Sequence, residues 1–313
     1  MAKRTIKIRP LPIGTYPKTY LFPFMEKVID SLIMLEKMRT AETYQAALNS
    51  FKRFRNGKDI LLTQMDTDLM QAYEAFLREN GISSNTSSFY MRNLRAVYNR
   101  AVDKGVTPQL FPFKRVYTGI GKTAKRAIPA STIRKIKEMD LSARPSLDFA
   151  RNLFLFSFYT RGMSFIDMAF LKKTDLCAGV LTYRRRKTGQ QIFVKWERCM
   201  QEILNKYDTA HSAYLLPIIH PSVTNEERRQ YIYASHNINR SLKIIGNLLG
   251  LEMPLTMYVA RHAWASIARS NNIPLSVISE GMGHDSEKTT RIYLSTLDTS
   301  AIDKANRLIL KGL

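Results

Sequence analysis

The segment Gly283-His284-Asp285-Ser286-Glu287-Lys288-Thr289-Thr290-Arg291-Ile292-Tyr293 decides how the chain is interpreted, because its tyrosine follows its histidine by nine residues. Arg261 lies earlier in the same half of the sequence. A phenol is a poor nucleophile at its free pKa of about 10, so it needs a polarised phosphorus and help in losing its proton. Arginine and imidazole N–H groups neutralise charge on the non-bridging oxygens. The pattern predicts that Tyr293 attacks a DNA phosphodiester.

The charge of the chain agrees with a nucleic-acid partner. Its 48 Lys and Arg against 26 Asp and Glu give a formal net charge of +22 over 313 residues. This excess favours a polyanion and supplies the salt-sensitive, sequence-independent part of DNA affinity. RNA or an acidic membrane would satisfy the charge equally well. The length favours two domains, since about 100–200 residues per domain is usual.

Cysteine content and hydropathy indicate the compartment. Cys177 and Cys199 are too few for a disulfide framework. The first nine residues have no apolar core of the signal-peptide type, and the longest apolar stretch, residues 153–159, is far shorter than a membrane span. We therefore expect a soluble protein of the reducing cytoplasm, without a membrane partner.

The first half of the chain has the apolar spacing of helices. Residues 21–103 predict four or five amphipathic helices, one of them capped by Asp66 and a later one by Ser84 or Asn85. Basic residues on these helices are candidate DNA contacts, namely Lys52, Arg53, Arg92, Arg95 and Arg100. A basic helix face suits a DNA groove, although a solvated face is the commoner meaning of charges on one helix.

The second half predicts helices around a small sheet. Residues 113–125 indicate a linker, and Ser131 or Thr132 is expected to cap a short helix. A long apolar helix is predicted from Leu147 to about Leu171. Two alternating segments, 180–183 and 192–194, then predict a β-hairpin around Lys187-Thr188-Gly189-Gln190. The predicted fold class is mainly α with a small β-sheet in two domains, and a tail helix is expected at 302–310.

Dispersed motifs of the chain resemble those of the tyrosine recombinases, the phage integrase family, and most of all the group found in Bacteroides and its relatives. These motifs are Arg161-Gly162-Met163-Ser164, Tyr183-Arg184-Arg185-Arg186-Lys187-Thr188, Tyr258-Val259-Ala260-Arg261-His262 and the histidine–tyrosine segment quoted above. The resemblance implies a basic extension at 1–18, a helical, SAM-like core-binding domain at 19–112, the linker at 113–125, and a mixed α/β catalytic domain at 126–313.

The resemblance also implies roles for individual residues. Tyr293 would form a 3′-phosphotyrosyl link and release a 5′-hydroxyl, without metal, ATP or another cofactor. His284 and Arg261 would bind the phosphate oxygens, and Lys187 would protonate the departing 5′-oxygen. Each residue has an ordinary alternative, because a tyrosine or histidine is more often a core residue and a lysine near a turn is usually solvated.

Two positions depart from the family pattern. Ser164 stands where the first arginine is usual, so Arg161, three residues earlier and expected one helical turn away, or Arg185 is the candidate replacement. Tyr258 stands where a histidine is usual, and a phenol is a weaker base near neutral pH. Asp167 matches a supporting acidic residue. His262 is expected to be mainly structural.

The expected partner is double-stranded DNA carrying recombination sites. The resemblance implies a homotetramer on DNA, with the tail helix docked on a neighbouring protomer, a monomer when free, and accessory DNA-bending proteins as further candidates. Integration and excision of a mobile element and inversion of a DNA segment both stay open. A type IB topoisomerase and a non-catalytic DNA-binding protein are the alternatives. The five histidines include no HxxxH or HxH pair that would indicate a metal site.

Overall fold

The computed structural model describes residues 16–121, 127–220, 226–284, 286–294 and 310, with the backbone alone at Lys288, Ile292 and Tyr293. These residues divide into two compact units, one within Met1–Thr123 and the other within Ala124–Leu313. Helices predominate in both units, and a three-stranded sheet lies in the second. The predicted fold class is confirmed.

Four amphipathic helices form the first unit. They are α1 (Leu21–Met34), α2 (Met38–Phe54), α3 (Thr67–Glu79) and α4 (Ser84–Asp103). Asp66 caps α3 as predicted, since its carboxylate accepts a hydrogen bond from the Leu69 N–H at 2.8 Å. The prediction for α4 was wrong by one residue. Ser83 is the cap and accepts from the Thr86 N–H at 3.3 Å.

The core of the first unit buries two tyrosines, and each satisfies its hydroxyl. Tyr73 donates to Ser50 Oγ at 2.7 Å, and Tyr98 donates to the Pro108 carbonyl at 2.7 Å. A buried hydroxyl without a partner would be unfavourable, so these bonds permit full burial of both rings.

Much of the segment predicted as a linker packs against the first unit. Phe113 and Val116 lie in its hydrophobic core. Farther along, the Tyr117 N–H donates to Glu74 at 2.8 Å and the Gly121 N–H donates to Asn85 Oδ1 at 2.7 Å. Two buried apolar side chains and two long-range hydrogen bonds therefore hold residues 113–121 on the helices of this unit.

The second unit contains eight described helices around the sheet. They are α5 (Ala130–Glu138), α6 (Pro145–Tyr159), α7 (Phe165–Ala169), α8 (Arg198–Leu204), α9 (Glu227–Leu248), α10 (Met257–Ser270), α11 (Leu275–Gly281) and α12 (Glu287–Tyr293). Helix α6 is buried on nearly all sides and packs against α9 and α10. The prediction of Ser131 or Thr132 as the cap of α5 was wrong, because Pro129 occupies that position and α5 begins at Ala130.

The long helix predicted from Leu147 to Leu171 is two helices. Helix α6 ends at Tyr159, and Arg161 and Gly162 follow with φ of 62° and 76°. Two successive residues in the left-handed region cannot continue a right-handed helix. Ser164 then caps α7. Arg161 and Ser164 are therefore not one helical turn apart, and the geometric premise for exchanging one for the other was wrong.

The sheet is an antiparallel meander of β1 (Leu176–Cys177), β2 (Val180–Arg184) and β3 (Gln191–Lys195). The predicted hairpin is confirmed. Pairing ends where Arg184 faces Gln191, so Lys187 lies in the turn and is exposed, whereas Arg185 is buried. Arg185 and Lys187 do not share a strand face, because regular pairing stops before both.

The tail helix predicted at 302–310 lies outside the described residues except for Leu310. Within the described ranges, no helix combines the length and the apolar character that a membrane span requires.

Candidate active site

Arg261 lies at the centre of the candidate site, on the buried side of α10. Its Nη1 donates to the Gly162 carbonyl and its Nη2 to the Met282 carbonyl, both at 2.7 Å. Only 5% of the residue is exposed. The planar guanidinium is thus held in one orientation by two backbone oxygens from different loops.

His284 contacts this arginine directly. Its Nε2 lies 2.9 Å from Arg261 Nη2, and its Nδ1 lies 2.7 Å from Oγ1 of Thr290 on α12. Burial, followed by the charges of Arg261, Arg185 and Lys187, lowers the pKa of His284 from 6.5 to about 4. The imidazole is therefore neutral at neutral pH.

Gly162 permits the close approach of α10 to the loop that follows α6. A Cβ added there would lie 2.7 Å from the Arg261 Cα, and the φ of 76° already disfavours a side chain. Backbone and side-chain atoms of Arg261 thus occupy the space that any other residue would need.

Gly162→Ala is expected to lower the melting temperature of the full chain far more than Gly179→Ala. Gly179 has nearly the same φ, 73°, but nothing lies within 4 Å of its added Cβ. Gly179→Ala therefore measures only the cost of placing alanine at a positive φ, about 1 kcal/mol. In a chain of this size that cost lowers the melting temperature by roughly 2–4 °C. The backbone clash should at least double that shift. Equal shifts in calorimetry would show that the contact at Gly162 relaxes freely.

Asp167 joins α7 to the hairpin. It accepts a hydrogen bond from the Ser164 hydroxyl at 2.6 Å and another from the Arg186 N–H at 2.9 Å. Asp167 is buried, and both of its carboxylate oxygens have a donor. Ser164 caps α7 and donates this hydrogen bond to Asp167. The residue at the position of the expected first arginine therefore stabilises the local structure.

Three basic residues from two loops lie around His284 and Arg261. Arg185 is buried and donates from Nη1 to the Gly283 carbonyl, next to His284. Arg161 is half-buried, and its Cδ is 3.6 Å from a Cβ placed on Gly281. Lys187 lies in the hairpin turn, exposed, and contributes to lowering the pKa of His284.

Tyr183 is a buried residue on which the charges of several of these residues act. Burial, and next the negative charge of Asp167, raise the pKa of its phenol well above 10, although Arg261, Arg185 and Arg161 act in the opposite direction. The Tyr183 hydroxyl is therefore protonated at neutral pH. Because Arg261, Arg185 and Arg161 all act on its pKa, Tyr183 lies close to the site.

Sequence models of one family match both halves of the chain. The phage integrase SAM-like domain matches residues 20–116, and the phage integrase family matches residues 150–299. Together the two matches cover well over half of the chain. The chain belongs to the phage integrase family. Its members are tyrosine recombinases, which cleave and rejoin DNA strands.

This recombinase is similar in sequence to a curated relative over nearly its whole length and similar in fold to solved integrase structures. Tyrosine recombinase XerD of Shewanella oneidensis is 22% identical over 287 residues, 88% of this chain and 93% of XerD. A lambda integrase dimer bound to a COC′ core site has a TM-score of 0.66 at 15% identity, covering 90% of this chain and 79% of that one. A lambda integrase tetramer bound to a Holliday junction has a TM-score of 0.62 at 16% identity, covering 88% and 77%.

Tyr258 and the nucleophile candidate lie at the ends of their helices. Tyr258 is in the first turn of α10, 44% exposed, with its ring 4.5 Å from the ring of His262. Tyr293 is the last residue of α12, and its side chain is outside the described residues. The structure thus brings Arg261, His284, Arg185 and Asp167 into one site and places the backbone of Tyr293 one helical turn beyond Thr290.

The basic residues predicted to contact DNA lie on two helices of the first unit of the recombinase, namely Lys52 and Arg53 on α2 and Arg92, Arg95 and Arg100 on α4. Some have partners within that unit. Lys52 pairs with Glu26 at 2.7 Å, and Arg95 donates to Thr118 at 3.1 Å. Arg53 is exposed in the last turn of α2. Their contact with DNA stays a prediction.

Two contributions to the site were missed by sequence reasoning. One is Thr290, fully buried against His284. The other is the set of loop carbonyls at 162, 282 and 283 that hold the two arginines. In the described part of the chain, no three His, Cys, Asp or Glu side chains converge in a way that could hold a metal ion.

Proposed function

We propose that this recombinase exchanges DNA strands at specific sites by transesterification at Tyr293. The tyrosine oxygen would form a bond to phosphorus while the bond from phosphorus to the 5′-oxygen breaks, leaving a 3′-phosphotyrosyl link. The reverse attack by a 5′-hydroxyl would rejoin strands, so bond energy is retained in the link. The observation that carries the proposal is the buried contact between Arg261 and His284, tied by Thr290 to the helix that ends in Tyr293.

The contacts of the site support a role for each residue. Two backbone carbonyls fix the orientation of the Arg261 guanidinium. It would bind the non-bridging phosphate oxygens as negative charge develops on those oxygens. His284, neutral and buried, would donate a further hydrogen bond to the phosphate. Lys187, exposed in the hairpin turn, would give a proton to the departing 5′-oxygen. Tyr258, exposed on α10, would donate to phosphate where the family usually has histidine, with His262 orienting its ring.

Arg185 is the better candidate for the missing first arginine. It is buried beside His284, donates to the Gly283 carbonyl, and lowers the pKa of His284. Arg161 belongs to a turn after α6, and its side chain runs along Gly281. Because Arg185 already lies beside His284, it needs little rearrangement to reach the phosphate that Arg261 would bind.

Arg185→Ala is expected to slow strand cleavage by about 10²-fold, and Arg161→Ala by much less, because the loss of one preorganised donor to a developing oxyanion has about this effect. Single-turnover formation of the protein–DNA adduct measures both rates. Arg161→Ala serves as the matched variant, since Arg161 is an arginine of the same unit and, like Arg185, its charge acts on Tyr183. A larger effect at Arg161 would reverse the assignment.

The charge distribution supports double-stranded DNA as the partner. A net charge of +22 and the basic residues of α2 and α4 would neutralise phosphates and make binding salt-sensitive. The structure of lambda integrase as a tetramer on a Holliday junction supports a homotetramer on DNA here. Without DNA the chain would be a monomer. Accessory DNA-bending proteins, and a location in the bacterial cytoplasm on the nucleoid, belong to the same proposal.

Covalent trapping tests the proposed function. The full chain is incubated with supercoiled plasmid that carries the DNA flanking its gene, the reaction is stopped with SDS, and protein-bound DNA is isolated. We expect an adduct whose DNA is attached to the peptide containing Tyr293 in mass spectrometry. Rearranged plasmid segments would identify integration, excision or inversion, whereas relaxation without rearrangement would indicate topoisomerase activity. Salt-sensitive binding without any adduct would contradict the proposal.

A further inference from the structure

We propose that Thr290 is a positioning residue whose hydroxyl lets His284 change its tautomer when a phosphate enters the site. The inference deepens the proposed function and rests on it. In the DNA-free chain the hydroxyl accepts a hydrogen bond from Nδ1–H of His284. In the working site it donates to Nδ1, so that Nε2 carries the proton and donates to the phosphate.

The DNA-free tautomer follows from the contacts of Nε2 with Arg261 and of Nδ1 with Thr290. Arginine nitrogens can only donate, so the 2.9 Å contact with Arg261 Nη2 requires Nε2 of His284 to accept. The proton of the neutral ring is then on Nδ1, which donates to Thr290 Oγ1 at 2.7 Å. With burial and three neighbouring cations disfavouring a second proton, the ring holds one proton and this tautomer.

Donation to a phosphate requires the opposite arrangement. A phosphate oxygen has no proton to give, so Nε2 must carry one when Arg261 turns from the histidine to the substrate. As the ring turns briefly away from Thr290, the proton on Nδ1 passes to water and another from water binds Nε2, so the number of protons on the ring is unchanged. Afterwards Nδ1 is an acceptor and needs a donor.

A hydroxyl suits this exchange because it can accept in one state and donate in the other. A carboxylate or a backbone carbonyl at the same place would only accept, and would hold the proton on Nδ1. Thr290 is fully buried, so water does not replace its hydroxyl easily. It also lies three residues before Tyr293 on α12, which couples the orientation of the histidine to the helix of the nucleophile.

Two variants separate the hydroxyl from the rest of the side chain. Thr290→Val keeps the shape and removes the hydroxyl, and we expect adduct formation to slow by up to about 100-fold. Thr290→Ser keeps the hydroxyl and should cleave at nearly the wild-type rate. Thr289→Val is the matched control, because Thr289 is the exposed neighbour on the same helix.

A double-mutant cycle and a spectroscopic measurement decide the proposal. If Thr290 acts through His284, Thr290→Val has no further effect in a His284→Ala background. An equal slowing in both backgrounds, or a Thr290→Ser variant as slow as Thr290→Val, would overturn it. Nitrogen-15 NMR of the DNA-free protein should show His284 protonated on Nδ1, and protonation on Nε2 would overturn it as well. The NMR measurement does not depend on strand cleavage. It therefore gives the tautomer of His284 even if the wild-type chain forms no adduct.

Discussion

Tyr293→Phe is expected to abolish covalent capture of DNA and to leave salt-sensitive DNA binding unchanged. The substitution removes one oxygen at the end of α12, and without that oxygen no bond to phosphorus can form. Phosphate contacts supply the binding and do not involve the phenol. The measurement pairs SDS-resistant adduct with a filter-binding titration at two salt concentrations on the same plasmid DNA.

Tyr233→Phe is the matched control for this prediction. Tyr233 is 70% exposed on α9, so the change removes the same oxygen from a place with no role in the site. The control should form adduct at the wild-type rate. Adduct that persists in the Tyr293 variant would show that another residue attacks the phosphodiester.

Arg261→Lys should lower the single-turnover rate of adduct formation by about 10²–10³-fold while retaining the positive charge. The lysine ammonium is a point charge on a flexible stem, and it cannot donate to the Gly162 and Met282 carbonyls and bind phosphate in one fixed geometry. The substitution should also lower the stability of the second unit by about 1–3 kcal/mol, because buried carbonyls lose their donor.

Arg269→Lys on the same helix controls for the general effect of this exchange. Arg269 is exposed in the last turn of α10, so its rate should match wild type. Thermal unfolding measured beside the kinetics establishes that both variants are folded at the assay temperature. If Arg261→Lys cleaves as fast as the control, the proposed phosphate-binding role of Arg261 is wrong.

The sequence predicted the parts of the fold that depend on local patterns. Apolar spacing located the helices of the first unit, Asp66 was recognised as a cap, and alternation located β2 and β3. The break after α6 was missed because residues 147–171 are so apolar that periodicity shows no gap. A signal was present, since Gly162 allows a left-handed residue and Ser164 precedes Asp167 by three, as a helix-capping residue does.

The sequence predicted which residues belong to the site, but it did not predict which of them contact one another. Spacing selected Arg261 and His284, which the structure places within hydrogen-bond distance of each other. Their catalytic roles stay predictions. The contact of Thr290 with His284 depends on how the chain turns before α12. Contacts of this kind do not produce a periodic pattern in the sequence. The proposed preference for Arg185 over Arg161 rests in the same way on a feature that the sequence does not show, namely the end of α6 before Arg161.

The hydrogen bonds of Arg261 in the DNA-free chain have a consequence for substrate recognition. Its Nη2 group already contacts His284 as well as the Met282 carbonyl, so an arriving phosphate displaces the contact with the histidine while the two carbonyls keep the guanidinium in place. The bond gained is partly offset by the one that is lost. The centre then adds little to affinity for the intact strand, and its advantage appears only as charge grows on the phosphoryl oxygens. Tightness of binding and speed of cleavage should therefore be independently adjustable: the former through the basic helices, the latter through the residues that surround Arg261.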